Sequence, residues 1–375
     1  MTEPKPAPFK HRVSSATIRA LAEHLRAEDP SFPAERFVRR ARRGLGALEL
    51  KARIQHIAEA LAATLPEGFP EASARIRGAN ARRGVPGTGD LEGTMFTFWP
   101  LCTYVEGWGL EHPELALDTM HGLTALASCE FAIRPYIEAE PERVWARLER
   151  WVSDPNVHVR RLVSEGTRPR LPWGRRLRAL QADPGPSLAL LDQLRGDPEL
   201  YVRRSVANHL NDISKDHPQL AVEVATRWQA EDDSDALAWV VRHALRGLVK
   251  AGNPGALALQ GFGPPKVRLA HFRVGPERLQ FGGSLSLSVE LRPRASQDLL
   301  IDYAIHHRKA DGSTRAKVFK WTRRRVEKGE VLRLDKQHGI RPISTRRYHD
   351  GPHRAELLIN GKSLAMADFE LVGAS

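Results

Sequence analysis

Three carboxylates and one tryptophan stand among arginines in the middle of this chain, and their spacing is the first chemical signal. Glu165 follows Arg161 by four residues, which puts both on one face of a helix. Asp212 follows Arg204 by eight, close to the corresponding face of another helix. Glu130 interrupts an otherwise apolar string at residues 125–133, ALASCEFAI. Trp173 lies in RLPWGRR at residues 170–176, where Pro172, Gly174 and the arginines make a turn rather than a core. A tryptophan in that setting suits stacking or a cation–π contact. Two readings of the acids stay open: each is neutralised by an arginine for packing, or each is presented at a site. A groove for phosphates gains nothing from carboxylates unless a positive charge must be stabilised there. The second reading therefore points to chemistry on a cation.

The elements that must position these residues are helices in a repeat. Asp154-Pro155-Asn156-Val157-His158-Val159-Arg160-Arg161 aligns with Asp197-Pro198-Glu199-Leu200-Tyr201-Val202-Arg203-Arg204 at an offset of 43 residues. A weaker third copy runs from Asp235 through Arg242. In the first two copies the aspartate is expected to cap the helix and the proline to occupy its first turn. A period of about 40 residues is HEAT-like, and such helix pairs stack into a curved solenoid with a concave face. Arg160, Arg161, Arg203, Arg204 and Arg242 then recur in register as a ladder suited to phosphates, unless each pairs with an acidic neighbour. Earlier in the chain Leu21, Ala22 and Leu25, then Phe37, Val38, Ala41 and Leu45, mark amphipathic stripes. Leu50, Ile54, Ile57 and Leu61 share one face of a longer stretch. Residues 77–93, RGANARRGVPGTGDLEG, read as a low-complexity break, with helices resuming near Leu115.

The pattern changes after residue 258. Residues 284–291, SLSLSVEL, alternate strictly, and short candidate strands follow at 302–305, 316–321 and 331–334. Two more, at 354–360 and 362–371, flank Asn360-Gly361, a strong hairpin signal. The expected class is therefore multidomain α then β: a HEAT-like helical domain over 1–258 and an immunoglobulin-like β-sandwich over 264–375. Charge follows the division. Of the formal net +12, residues 264–375 carry 22 Lys and Arg against 12 Asp and Glu, a net of +10, leaving only +2 elsewhere. Arg323-Arg324-Arg325 and Arg346-Arg347 are its candidate phosphate or minor-groove contacts, a solvated basic face being the plain alternative.

Other classes are excluded or unsupported. There is no Walker loop, GxSxG, HExxH or paired CxxC. Cys102 and Cys129 have no metal spacing and fit a reduced compartment. His306, His307, His349 and His353 read as solvated or core histidines of the sandwich. No apolar run approaches the ~20 residues of a membrane span, and residues 1–8 lack a secretory signature, so a cytoplasmic protein is expected.

Residues 128–135 (SCEFAIRP), 154–177 (DPNVHVRRLVSEGTRPRLPWGRRL), 201–218 (YVRRSVANHLNDISKDHP) and 37–61 resemble the AlkC branch of the AlkC/AlkD DNA alkylation-repair glycosylases. The resemblance covers roughly residues 8–255, and the basic sandwich resembles, more loosely, an extension of one AlkC subgroup. It implies a monomeric, monofunctional N-glycosylase with no metal or other cofactor and no membrane association. Its partner is double-stranded DNA containing alkylated bases, chiefly 3-methyladenine and 3-methylcytosine. It implies too that Glu130, Glu165, Asp212 and Trp173 line the lesion site with Arg161 beside them, and that no lysine stands there for Schiff-base chemistry. Two other classes compete: a non-catalytic DNA-damage-binding protein of the same fold, and a HEAT scaffold for proteins. The first predicts DNA binding without base release, the second no salt-sensitive DNA affinity.

Overall fold

A computed structural model describes residues 8–83, 91–343 and 346–374. Helices fill the first part of the chain: α1 (Ser15–Glu28), α2 (Ala34–Arg42), α3 (Leu50–Ala62), α4 (Phe69–Arg83), α5 (Leu91–Trp108), α6 (Pro113–Leu123), α7 (Arg134–Ala139) and α8 (Pro141–Trp151). They continue as α9 (Val157–Gly166), α10 (Arg178–Ala182), α11 (Gly185–Leu194), α12 (Leu200–Ile213), α13 (Pro218–Glu231), α14 (Asp235–Ala244), α15 (Arg246–Lys250) and α16 (Pro254–Ala258). The chain divides into two compact units, residues 1–217 with 232–244, and residues 218–231 with 245–375. None of the described helices is long and apolar enough to cross a membrane.

In the first unit the amphipathic stripes form the core: Leu21, Ala22, Leu25, Phe37, Ala41, Ile54, Ile57 and Leu61 are all buried. The expected break at 77–93 is corrected. Helix α4 continues to Arg83 and α5 begins at Leu91, while residues 84–90 lie outside the described residues. Burial overrides composition here. Ala72, Ile76 and Ala79 share a buried face that packs α4 into the core. Helices therefore resume at Leu91 rather than near Leu115, and Phe98, Trp99, Leu101 and Val105 bury α5 despite the internal Pro100.

The repeat is real, since α9 packs on α12 and α12 on α14. Its capping differs from expectation. Asn156, not Asp154, caps α9 by accepting from His158 N at 2.9 Å. Asp154 instead accepts from Asn156 N at 2.7 Å, and Asp197 from Glu199 N at 2.9 Å. Both aspartates form Asx turns ahead of their helices, because an Asp-Pro pair directs the carboxylate two residues on, before helical backbone begins.

Among the described residues of the second unit, eight strands form two sheets: β1 (Val267–Gly275), β2 (Arg278–Gln280), β3 (Ser284–Pro293), β4 (Gln297–Arg308), β5 (Thr314–Val326), β6 (Leu332–Gly339), β7 (Gly351–Ile359) and β8 (Lys362–Val372). Among the described residues their orders are β1-β3-β6 and β2-β8-β7-β4-β5. Alternation in β3 points Leu285, Leu287, Val289 and Leu291 at Tyr303, Ile305, Leu299 and Ile301 of β4, which closes the sandwich without a disulfide.

Asn360 and Gly361 close the β7–β8 hairpin with φ of +47° and +73°, the pair of left-handed residues a type I′ turn requires. Asn360 does more than turn. Its Oδ1 accepts from Leu300 N at 2.7 Å, and its Nδ2 donates to Gly263 O at 2.7 Å and to Asp298 O at 3.3 Å. Asn360→Ala is expected to cost about 3 kcal/mol, from lost hydrogen bonds and a strained φ. Asn360→Gly should cost less, because it keeps the turn; the denaturant midpoint of the sandwich measures both.

Candidate functional site

The middle repeats bring the three acids together around two arginines. Glu165 is in the last turn of α9 and Asp212 in the last turn of α12. A carboxylate there opposes the negative end of the helix dipole, so neither acid is placed for helix stability. Each is answered three residues on by a cation. Arg168 Nη1 donates to Glu165 Oε1 at 2.5 Å, and Lys215 Nζ donates to Asp212 Oδ1 at 2.7 Å. Arg168 also reaches across repeats, its Nε and Nη2 both 2.8 Å from Asp212 Oδ2. The second arginine, Arg161, donates to Glu130 Oε2 at 2.9 Å and lies 3.8 Å from Glu165 Oε2. Its guanidinium sits 4.9 Å from the centre of the Tyr201 ring.

Exposure grades the three acids. Side-chain exposure is 13% at Glu130, 7% at Glu165 and 2% at Asp212, so Glu130 is the most accessible. Burial alone would raise the Glu165 carboxyl, but Arg161, Arg168 and the Ser205 hydroxyl outweigh it and hold it below the usual carboxylate range. Glu165 is therefore an anion at neutral pH. The inner cluster holds three carboxylates and two guanidiniums, with Lys215 half exposed at its edge. Among the described residues no three His, Cys, Asp or Glu side chains gather as a cation site.

His209 lies beneath, fully buried, with Nδ1 2.9 Å from Ser164 O. Burial, then the Arg168 charge, pushes it down to about 3. Below pH 6.5 the unfolded chain takes a proton that folded His209 refuses. The stability is thus complete above about 6.5 and lost as pH falls towards 3. Urea midpoints should fall over this window by an amount equivalent to about 1.4 kcal/mol per pH unit per such histidine. A His209→Gln variant should flatten that slope.

Trp173 is 58% exposed, which rules out a packing role for most of its ring. Its φ of +66° is rare for a bulky residue and costs on the order of 1–3 kcal/mol. The loop is held in that shape from both sides. Buried Arg134 donates to Gly166 O at 2.8 Å and to Arg175 O, and Lys51 Nζ donates to Trp173 O. Backbone strain maintained by a buried arginine presents the indole outward.

The arginine register divides. Arg160 pairs with Asp197 at 2.6 Å, Arg161 with Glu130, and Arg203 donates to the carbonyls of Asp197 and Pro198. Arg204 and Arg242 are exposed. In the sandwich, Arg323 covers the Phe262 ring, Arg324 pairs with Glu330, and Arg325 lies 3.8 Å from Asp298. His306 pairs with Glu356 at 2.7 Å, while His307 and His353 are buried. Cys102 and Cys129 are buried free thiols with sulfurs 3.3 Å apart.

Two residues escaped sequence reasoning. Arg168, the bridge between Glu165 and Asp212, was legible only as the cation three residues after an acid at a helix end. Lys215 carries the same signal after Asp212 and stands at the edge of the cluster, outside the positions that the resemblance names. Both follow their helices, outside the aligned helical positions of the repeat.

Residues 268–373 match the family described as "Uncharacterised protein YhaZ, C-terminal Ig-like domain". The chain is 36% identical over 367 residues to the uncharacterized protein YhaZ of Bacillus subtilis, spanning 97% of this chain and 99% of that one. It also matches the structure of the Pseudomonas fluorescens alkylpurine DNA glycosylase AlkC bound to DNA containing an abasic site analog. The TM-score is 0.88 at 35% identity, covering 98% of this chain and 100% of that one.

Proposed function

The chain belongs to the AlkC branch of the AlkC/AlkD helical-repeat family, with an immunoglobulin-like C-terminal domain, and from that membership we propose that it is a monofunctional DNA glycosylase. Its substrates are cationic alkylated bases in double-stranded DNA, chiefly 3-methyladenine and 3-methylcytosine, and it acts as a monomer. The observation that carries the reading is Glu165 and Asp212, two buried acids at helix ends that disfavour them, joined by one arginine.

The chemistry needs little beyond such a cluster. Methylation at N3 makes the base a cation and a good leaving group, so no general acid is required. As the C1′–N bond lengthens, positive charge moves to the sugar, and anionic groups fixed nearby stabilise it without reorganising. Glu165 and Asp212 supply that field. Glu130, the most exposed acid, receives both of its hydrogen bonds on Oε2, which leaves Oε1 to orient the attacking water. A neutral base lacks the charge these acids favour, which gives selectivity for cations. No deep pocket for an extruded base enters the mechanism. The exposed Trp173 faces the deoxyribose or the lesion and adds cation–π stabilisation. Trp173→Ala should therefore slow base release at least tenfold while stability changes by under about 0.5 kcal/mol, since so much of the ring is exposed. Arg204 and Arg242, with the arginines of the sandwich, take the phosphates.

Mass analysis of bases released from methylated DNA tests the reading. Free 3-methyladenine and 3-methylcytosine with an intact abasic strand are expected. DNA binding with no release would make the protein a damage binder. Strand nicks, with a borohydride-trapped adduct lost in Lys215→Gln, would make it a bifunctional lyase instead.

A further inference from the structure

An unassigned feature of the second unit is a cavity of about 480 Å³ lined by His307, Arg308, Lys309, Arg315, Lys317, Arg346, Arg347 and His349. It lies on the edge strand β5, the end of β4 and residues 346–349. Six cationic side chains line it, and no carboxylate is among its described lining residues. Among the described residues none of the six forms a salt bridge, whereas Arg324 and Arg325 on the same strand lie beside the carboxylates of Glu330 and Asp298. The carboxylates nearest in sequence have other partners as well: Asp311, which also feels the Lys309 charge, accepts from Ser313 N and Ser313 Oγ, and Asp350 accepts from Ala374 N.

The site is built, not merely basic. Arg346 Nη1 lies 2.5 Å from His307 Nε2, so the buried histidine is a neutral acceptor that orients a guanidinium. The other nitrogen, His307 Nδ1, is buried without a hydrogen-bond partner. Arg346 also covers the Tyr348 ring at 5.5 Å, and Lys317 lies 5.4 Å from the Phe319 ring centre. Gly351 has φ +110°, and a Cβ there would sit 2.4 Å from Arg308 Nη1. That positive φ is the reason for glycine there, and a side chain would displace only the flexible end of Arg308. Like charges converging without a counter-ion repel one another, an arrangement stabilised only when an anion binds.

We propose that this cavity is an oxyanion site that seats a phosphate group through Arg308, Arg315, Arg346 and Arg347. Guanidinium forks suit phosphate oxygens, and several cations around one anion give a site rather than a diffuse basic face. A phosphate can come from a DNA backbone or from a small phosphorylated molecule. Only the DNA source rests on the function proposed above.

The test uses the full chain with two probes, pyrophosphate at constant ionic strength and undamaged duplex DNA across a salt series. Arg315→Gln/Arg347→Gln removes two exposed guanidiniums of the cavity. Lys328→Gln/Lys362→Gln removes the same charge from exposed positions elsewhere on the sandwich. Saturable pyrophosphate binding by the parent chain, weakened at least tenfold by the first pair and unchanged by the second, is expected. The slope of log affinity for DNA against log salt should fall by about 0.9 for each phosphate that the first pair no longer neutralises. A changed slope assigns the site to a DNA phosphate, with or without pyrophosphate binding. Pyrophosphate binding that the first pair weakens, with an unchanged slope, assigns it to a small phosphate ligand. Pyrophosphate binding that is absent or insensitive to the first pair, together with equal slopes for the two variant pairs, overturns the proposal. Neither probe requires base release. A chain that excises nothing yet shows these responses would overturn the glycosylase reading and leave the oxyanion site standing.

Discussion

Glu165→Gln is expected to slow release of 3-methyladenine by about 10²–10³-fold, the usual cost of removing one preorganised charged group from a transition state. The substitution keeps the shape of the side chain and its place beside the Ser205 hydroxyl, 2.5 Å from Glu165 Oε2. What it removes is the charge. Asp212→Asn should act in the same direction, and the double variant should retain little activity. Losses at the two positions will not add, because both acids act on the same developing charge and share Arg168. Duplex binding separates this role from a structural one. Removing an anion from a surface that meets phosphates should leave affinity for undamaged DNA equal or higher while release collapses. Single-turnover release rates beside equilibrium binding of undamaged duplex measure the pair. An undiminished rate in the double variant would remove the acids from the mechanism.

The second large effect is on stability. Arg168→Ala leaves two buried carboxylates without their shared partner, and breaking a buried ion pair from one side costs about 3–5 kcal/mol. The melting temperature of the helical unit should fall on the order of 10 °C. Arg168→Lys should recover only part of this, since one ammonium cannot contact Glu165 Oε1 and Asp212 Oδ2 with the fixed geometry of a guanidinium. The informative control is Arg168→Met combined with Glu165→Gln and Asp212→Asn, which removes all the charges together and should regain much of the loss. Calorimetry of the four proteins checks the ordering. A fully stable Arg168→Ala would mean that Lys215 and solvent suffice to hold the acids.

The fold was largely legible because it rests on periodicity. A 43-residue offset shows a stacked helical repeat, and strict alternation in residues 284–291 with Asn360-Gly361 shows a sandwich hairpin. Local composition misled where burial decided. Residues 77–83 look like a loop by their glycine and arginine content, yet one buried stripe through Ile76 and Ala79 keeps them helical. Asp154 and Asp197 read as caps from spacing alone, whereas backbone geometry one turn earlier made them Asx acceptors.

The site shows the same division more sharply. The sequence by itself determined which residues are chemically notable: Glu130, Glu165, Asp212 and Trp173 stand out by residue type against their neighbours. It also determined that the basic charge is concentrated in the C-terminal part. Only the tertiary structure decided which charges are committed. It turned Arg160, Arg161 and Arg203 towards protein partners, placed Arg168 between two acids 47 residues apart, and brought Lys215 to the same edge. It separated two basic runs that look alike in sequence, with Arg324 and Arg325 beside carboxylates and Arg346 and Arg347 at a cavity whose described lining holds none. The physical reason is range. Periodicity and residue type are local properties that a string of letters carries. Whether a charge is neutralised depends on what lies within a few ångströms in space, and packing alone sets that.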